Sequence, residues 1–311
     1  MDERKTKVDF ALDLMERLDF PVDCIGYFRL LETSYFLTGP YAGELCSLQE
    51  AYMAGSLPVD GALNRLKEIA AEIDVPYRSM YQLFYLNCAC ELYALYRQRG
   101  ISDEIFYASM NDLRCKLFEC REVRGVWGND TDGWSDGFFK LDRFALGRLQ
   151  YEQRTFPHED YVCGDAVLRQ GDPVLNTHIP SAGPFPRALR YESYRRAYEF
   201  YPQIRCGGKY LPIICNSWLL FPDHEKFLPQ TSNILDFMRD FDIIEPRYSE
   251  QPYASWRIFG RYFEEPFDRL PRDTSLRKAY ADWLAAGHNT GSGRGLILFD
   301  GEKIVNNARG E

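Results

Sequence analysis

Over its first 130 residues the chain sets apolar side chains three and four positions apart, the spacing that lines one face of a helix. The runs are VDFALDLMERL from Val8, DGALNRLKEIAAEI from Asp60, MYQLFYLNCACELYALYRQRG from Met80 and DEIFYASMNDLRCKLFECREV from Asp103. Proline or glycine stands at the breaks, at Pro21, Pro58, Pro76, Gly100 and Gly125. Such residues either cannot continue a helix or favour its end. The pattern predicts an N-terminal helical bundle.

The next stretch, GVWGNDTDGWSDG from Gly125 to Gly137, is dense in Gly, Asp and Asn, which is turn chemistry. Its aspartates lack the closing Glu of a calcium loop, so a connector is expected. It sets the expected domains at 1–126 and 127–311.

Beyond it the period shortens to two. Phe138–Leu141 and Leu146–Thr155 alternate apolar and polar residues, predicting half-buried strands. Ala166–Leu168 and Val174–Ile179 predict two more, and the continuous apolar run Leu211–Cys215 predicts a strand buried on both faces. Helices are expected over Arg187–Tyr201, Ser232–Phe241 and Ser275–Ala286, and short strands at Asp242–Glu245, Trp256–Phe259 and Leu296–Phe299. The fold class expected is α+β.

Composition narrows the function. A chain of 311 residues, 45% hydrophobic and 27% charged, is ordinary globular material of about two domains. Lys+Arg less Asp+Glu is 37 − 46 = −9. The first 130 residues carry 14 − 21 = −7 of this and the rest 23 − 25 = −2. That balance argues against a nucleic-acid partner, whose affinity comes from basic stripes; a small anionic ligand needs only a local patch. The nine cysteines show no metal or redox spacing and are expected to be reduced thiols in a cytoplasmic protein. No leader marks MDERKTKVDF, and no run approaches the ~18 apolar residues of a membrane span. With four His in the chain, no metal site is expected.

The strand ending at Ile179, the loop IPSAGPFP and the helix from Arg187 together make a candidate anion site, because free N–H groups and the helix dipole converge there. Arg187 and Arg190 stand in the first turn, where cations are disfavoured unless an anion is near; solvated arginines are the alternative. Cys215 is either a nucleophile or an inert buried thiol. The glycines of GHNTGSGRG, from Gly287, run from a helix into a strand, the wrong order for a phosphate loop. They suggest a flexible connector, although Arg294 could contact an anion.

The run "LGRLQYE … GDPVLNTHIPSAG … SY..A..FY … PIICNSWLL … SNILDF" resembles a two-domain bacterial N-acyltransferase family, with a helical N-terminal domain followed by a GNAT-like mixed α/β acyltransferase domain. The resemblance covers nearly the whole chain. It implies an acyl-CoA-dependent N-acyltransferase, with acetyl-CoA or another acyl-CoA as co-substrate and a small-molecule amine as acceptor. Ile179, Ser181, Ala182, Gly183, Arg187 and Arg190 would then hold the CoA phosphates, and Asn216 and Ser217 the pantetheine arm, unless these two merely cap a helix. Direct aminolysis of a thioester needs a base and an acid. His178, with Glu152 in reserve, is expected as base, and Tyr194 as acid unless it is core. GNAT enzymes carry [QR]-x-x-G-x-[GA] at the phosphate loop; here two of the would-be donors are prolines without an N–H. A catalytically silent ligand-binding protein on the same frame is therefore the alternative reading.

Overall fold

The computed structural model describes residues 3–252 and 254–307. Two compact units divide the chain, Met1–Phe144 and Ala145–Glu311.

The first unit is helical, with α1 (Glu3–Arg17), α2 (Val22–Leu31), α3 (Ala42–Met53), α4 (Val59–Glu72), α5 (Tyr77–Gln98), α6 (Asp103–Arg124) and the single turn α7 (Asp136–Phe139). Pro21, Pro58 and Pro76 precede α2, α4 and α5 with ψ of 141, 153 and 122°; each lacks the N–H that would let a helix run through it. Ser102 caps α6 by accepting from the Ile105 N–H at 3.4 Å, and Gly125 ends it at φ +75°, a conformation glycine adopts without strain. α5 is the axis of this unit. Met80, Leu83, Phe84, Tyr85, Leu86, Cys88, Ala89 and Leu92 are all buried, so the middle of the helix is covered on every side, and α1, α3, α4 and α6 surround it. Between α2 and α3, Glu32–Leu37 winds as a π-helix.

The turn-rich stretch after Gly125 does not part the units at 126/127. It folds back onto α5 and α6: the Asn129 N–H donates to the Arg78 carbonyl at 3.0 Å, Trp134 Nε1 donates to Asp112 Oδ2 at 3.0 Å, and Asp130 pairs with Arg78 and Arg124. Gly128 lies so close to the helix that a Cβ there would meet the Arg78 backbone at 2.6 Å. Nor is Phe138–Leu141 a strand. Phe138 and Phe139 end α7 and are buried, with Phe139 beside Tyr52 and Tyr85. Four alternating residues do not distinguish a strand from one helical turn.

The division falls within β1 (Arg143–Leu146). There follow β2 (Leu149–Thr155), β3 (Tyr161–Cys163), β4 (Ala166–Leu168), β5 (Pro173–His178), α8 (Arg187–Phe200), β6 (Leu211–Ser217), α9 (His224–Phe227), α10 (Asn233–Met238), β7 (Asp242–Tyr248), α11 (Trp256–Phe259), α12 (Ser275–Ala285) and β8 (Gly291–Phe299). The main sheet runs β1-β2-β5-β6-β8-β7, and β3 and β4 form a separate hairpin. That hairpin packs on one face through Phe156, Ala166, Leu168, Val174, Ile214, Leu296 and Leu298. Trp256–Phe259, expected as a strand, is helical because Ile258 and Phe259 bury together on one side of a turn.

The glycine tail also departs from expectation. From Gly291 it is strand β8, paired with both β6 and β7. A Cβ on Gly293 would lie 2.2 Å from the Leu220 carbonyl oxygen, and one on Gly295 2.7 Å from the Phe241 Cβ. These glycines admit close neighbours rather than supply flexibility.

Candidate functional site

The site begins with a parallel pair that stops pairing. β5 and β6 are joined only at Leu175↔Ile213 and Asn176↔Ile214. β5 continues to His178 against β2 (Gln150↔His178), and β6 continues to Ser217 against β8 (Ser217↔Gly293). Beyond Asn176 and Ile214 each strand is thus held from its outer side only. Thr177 and His178 form one lip of the divergence; Cys215, Asn216 and Ser217 form the other.

Strand alternation and the β2–β5 register place Glu152, Asn176 and His178 together on the face that carries Ile214. His178 Nε2 is 2.9 Å from Glu152 Oε1, Asn176 Nδ2 donates to the same oxygen at 3.0 Å, and Arg154 Nη2 is 2.8 Å from Glu152 Oε2. Glu152 is buried, at 3% exposure. A buried carboxylate needs such partners. Nε2 thus meets a carboxylate oxygen at 2.9 Å and the Asn176 Nδ2 group at 3.1 Å; in the tautomer with the proton on Nε2 the ring donates to Glu152 and Asn176 donates to Glu152 alone. In that tautomer Nδ1 is the basic nitrogen of the ring. Cys215, on the other lip, is wholly buried, and burial pushes its thiol well above the usual range; it is inert as a nucleophile.

The loop after β5 is anchored by a residue outside it. Arg148, in the β1–β2 turn, donates to the Gly183 carbonyl at 2.6 Å and the Pro184 carbonyl at 3.0 Å. Ser181, Ala182 and Gly183 are exposed, Ile179 is half-buried and Gly183 sits at φ +88°. Pro186 precedes α8, and Arg187, on its first turn, is exposed with Nη2 3.1 Å from the Tyr191 hydroxyl.

Three residues expected at the site are occupied elsewhere. Arg190 is 1% exposed and spends its guanidinium on Asp240 (2.6 and 3.2 Å), Asp236 Oδ2 (2.9 Å) and the carbonyls of Phe185 and Asp236 (2.9 and 3.3 Å). It is a buried strut between α8 and α10, not a phosphate ligand. Tyr194 is fully buried and donates to Asp240 Oδ2 at 3.0 Å; burial first, then the neighbouring Asp240 charge, hold its phenol well above the usual range, so it is core rather than acid. Ser217 Oγ accepts from the Leu219 N–H at 3.2 Å, a cap on the turn Trp218–Leu220. Asn216 is exposed.

Asn176, Arg154 and Arg148 escaped the sequence reading. Alternation alone would have found Asn176, two residues before His178 and therefore on its face. Nothing local marks Arg148, whose partners lie some 35 positions away. Among the described residues no three His, Cys, Asp or Glu side chains gather to hold a metal, and no helix is long and apolar enough to cross a membrane.

Two family profiles match, an N-acyltransferase N-terminal domain over residues 11–141 and a GNAT-like C-terminal domain over residues 144–297. No curated protein matches. Among solved structures, an acyltransferase mutant in complex with octanoyl-CoA is similar at 22% identity, over 93% of this chain and 87% of that one, with TM-score 0.70. An acyltransferase in complex with decanoyl-CoA is similar at 23% identity over the same shares, TM-score 0.67. One in complex with decanoyl-CoA and teicoplanin is similar at 20%, over 93% and 99%, TM-score 0.61. Identities this low carry the fold alone.

Proposed function

The chain belongs to the two-domain N-acyltransferase family, an N-acyltransferase N-terminal domain followed by a GNAT-like C-terminal domain, and on that premise we propose that it moves an acyl group from an acyl-CoA to the amine of a small-molecule acceptor. The observation that carries this reading is the divergence of β5 from β6 with the Glu152–His178 pair on its lip. Similar structures bound to octanoyl-CoA and decanoyl-CoA support an acyl-CoA donor, and the one bound to teicoplanin supports a small-molecule acceptor. Nine free cysteines support a reducing, cytoplasmic location.

The thioester lies in the divergence, where the freed strand edges offer backbone N–H and C=O groups to the pantetheine arm beside Asn216. The phosphates lie on the exposed Ser181–Gly183 turn held by Arg148, with Arg187 near. His178 Nδ1 takes a proton from the acceptor ammonium, and Glu152, held by Arg154 and Asn176, stabilises the imidazolium that forms. The neutral amine attacks the thioester carbon. A C–N bond forms and the C–S bond breaks; the proton that the acylated nitrogen gives up goes to the departing thiolate, which leaves as the free thiol of CoA. Glu152 thus orients the base rather than substituting for it.

The test combines thermal shift with acyl-CoAs of increasing length and free-thiol release with a panel of amines. His178→Gln should cost about 10²–10⁴-fold in kcat/KM and erase the acidic limb of its pH profile. An acidic limb that survives in His178→Gln and vanishes in Glu152→Gln reverses the roles; no shift with any CoA defeats the reading. The prolines at 180, 184 and 186 favour one second reading, a silent binding protein, which predicts a CoA shift without thiol release from any amine.

A further inference from the structure

The polar row that begins at His178 continues beyond the divergence. Asn216 on β6 pairs with Arg294 on β8, and Arg294 pairs with Glu245 on β7. Paired positions share a face, and His178 stands two residues beyond Asn176 as Asn216 stands two beyond Ile214, so all four lie on one face. Arg294 lies one paired strand from Asn216, and His178 stands across the divergence from Asn216, so the step between His178 and Arg294 exceeds two ordinary strand spacings.

Arg294 is built in rather than solvated. Its side chain is 17% exposed. Nη1 donates to Glu245 Oε2 at 3.0 Å and to His158 Nε2 at 2.8 Å. Accepting at Nε2 makes His158 a neutral imidazole, and burial followed by the Arg294 charge holds it below its usual range. Glu245 is shared, since its other oxygen takes Arg247 Nε at 2.7 Å. Two guanidinium groups thus meet one carboxylate, and the cluster keeps a positive excess. No acceptor among the described residues meets Arg294 Nε or Nη2. Those N–H groups form the parallel fork that fits a planar carboxylate in two hydrogen bonds.

We propose that Arg294, positioned by Glu245 and His158, anchors a carboxylate of the acceptor, so that the acceptors are amines that also carry a carboxylate, as amino acids and peptides do. The proposal rests on the acyltransfer reading for its meaning, but its binding test does not. With the carboxylate on Arg294, the amine of a suitably long acceptor reaches across Asn216 to His178.

The probes are matched pairs of ω-amino carboxylates and plain alkylamines of two to eight carbons, used with the full chain. Free-thiol release from octanoyl-CoA should favour the carboxylate member by about tenfold or more at the best length, the value of a charge-assisted pair. Arg294→Gln should reduce that ratio to about one, and Arg294→Lys, a point charge without the fork, should retain part of it. In a thermal-shift titration, which needs no turnover, the amino carboxylate should stabilise the wild type and not Arg294→Gln, while the CoA dissociation constant stays within about twofold. A wild type indifferent to the carboxylate at every length, or a preference that survives Arg294→Gln, overturns the proposal. So does a CoA affinity that falls tenfold in Arg294→Gln, which would make this a cofactor phosphate site. Should CoA bind and no amine release thiol, acyltransfer fails, and the Arg294-dependent shift still decides the anchor.

Discussion

Glu32 is the most exacting test of the physical account of the helical unit. It opens the π-helix, is fully buried, and accepts a single hydrogen bond, from Asn87 Nδ2 to Oε1 at 2.8 Å. Glu32 Oε2 and Asn87 Oδ1 are both buried acceptors without a donor, so a proton on Oε2 supplies the one donor both lack. Burial pushes the carboxyl from 4.5 up to about 8. An acid raised on folding stabilises the fold in its protonated form. Its contribution is complete below the unfolded value and is lost as pH rises toward the folded one. At about 1.4 kcal/mol per pH unit, that loss reaches about 3–4 kcal/mol between pH 5 and pH 8. Glu32→Gln keeps the shape, offers Asn87 an N–H and cannot ionise. The difference in unfolding free energy, variant minus wild type, should therefore rise with pH over this window and flatten above it. Urea unfolding by circular dichroism at pH 5 to 9 reads the difference, and hydrogen exchange of α5 peptides assigns it to the helical unit. A difference that is constant with pH, or a variant less stable at every pH, refutes the neutral acid.

Two further outcomes follow from packing. Arg190→Met should destabilise the C-terminal unit by about 3–5 kcal/mol in thermal melts, because it leaves Asp240 buried without its cation, while the folded fraction keeps its CoA affinity; a tenfold loss of CoA affinity in stable protein would restore Arg190 to the site. Gly293→Ala should cost about 1–3 kcal/mol in urea titrations, since its Cβ would lie 2.2 Å from the Leu220 carbonyl oxygen, and a neutral result would mean that the turn Trp218–Leu220 yields freely.

Periodicity was enough to foresee the helical first part, the strands around Gln150, Val174 and Leu211, and the helix after Pro186, because each buries one face or all faces over a length that a repeat of two or 3.6 makes visible. Short elements escaped it. Four residues at Phe138 and four at Trp256 satisfy either period, and their neighbours in space chose the helix. The same limit governed the site. Alternation places His178 and Glu152 on strands, but whether they meet depends on the register of an antiparallel pair whose members lie 18 to 28 positions apart. Arg190 shows the converse: a cation in the first turn of a helix is locally anomalous, and the anion that explains it, Asp240, arrives 50 residues later from the turn after α10. In the tail, glycine composition suggested mobility where the close approach of Leu220 and Phe241 demanded a missing side chain. Local pattern carries information about burial; pairing across tens of residues is a property of the folded chain, and that is where the charges of this protein found their partners.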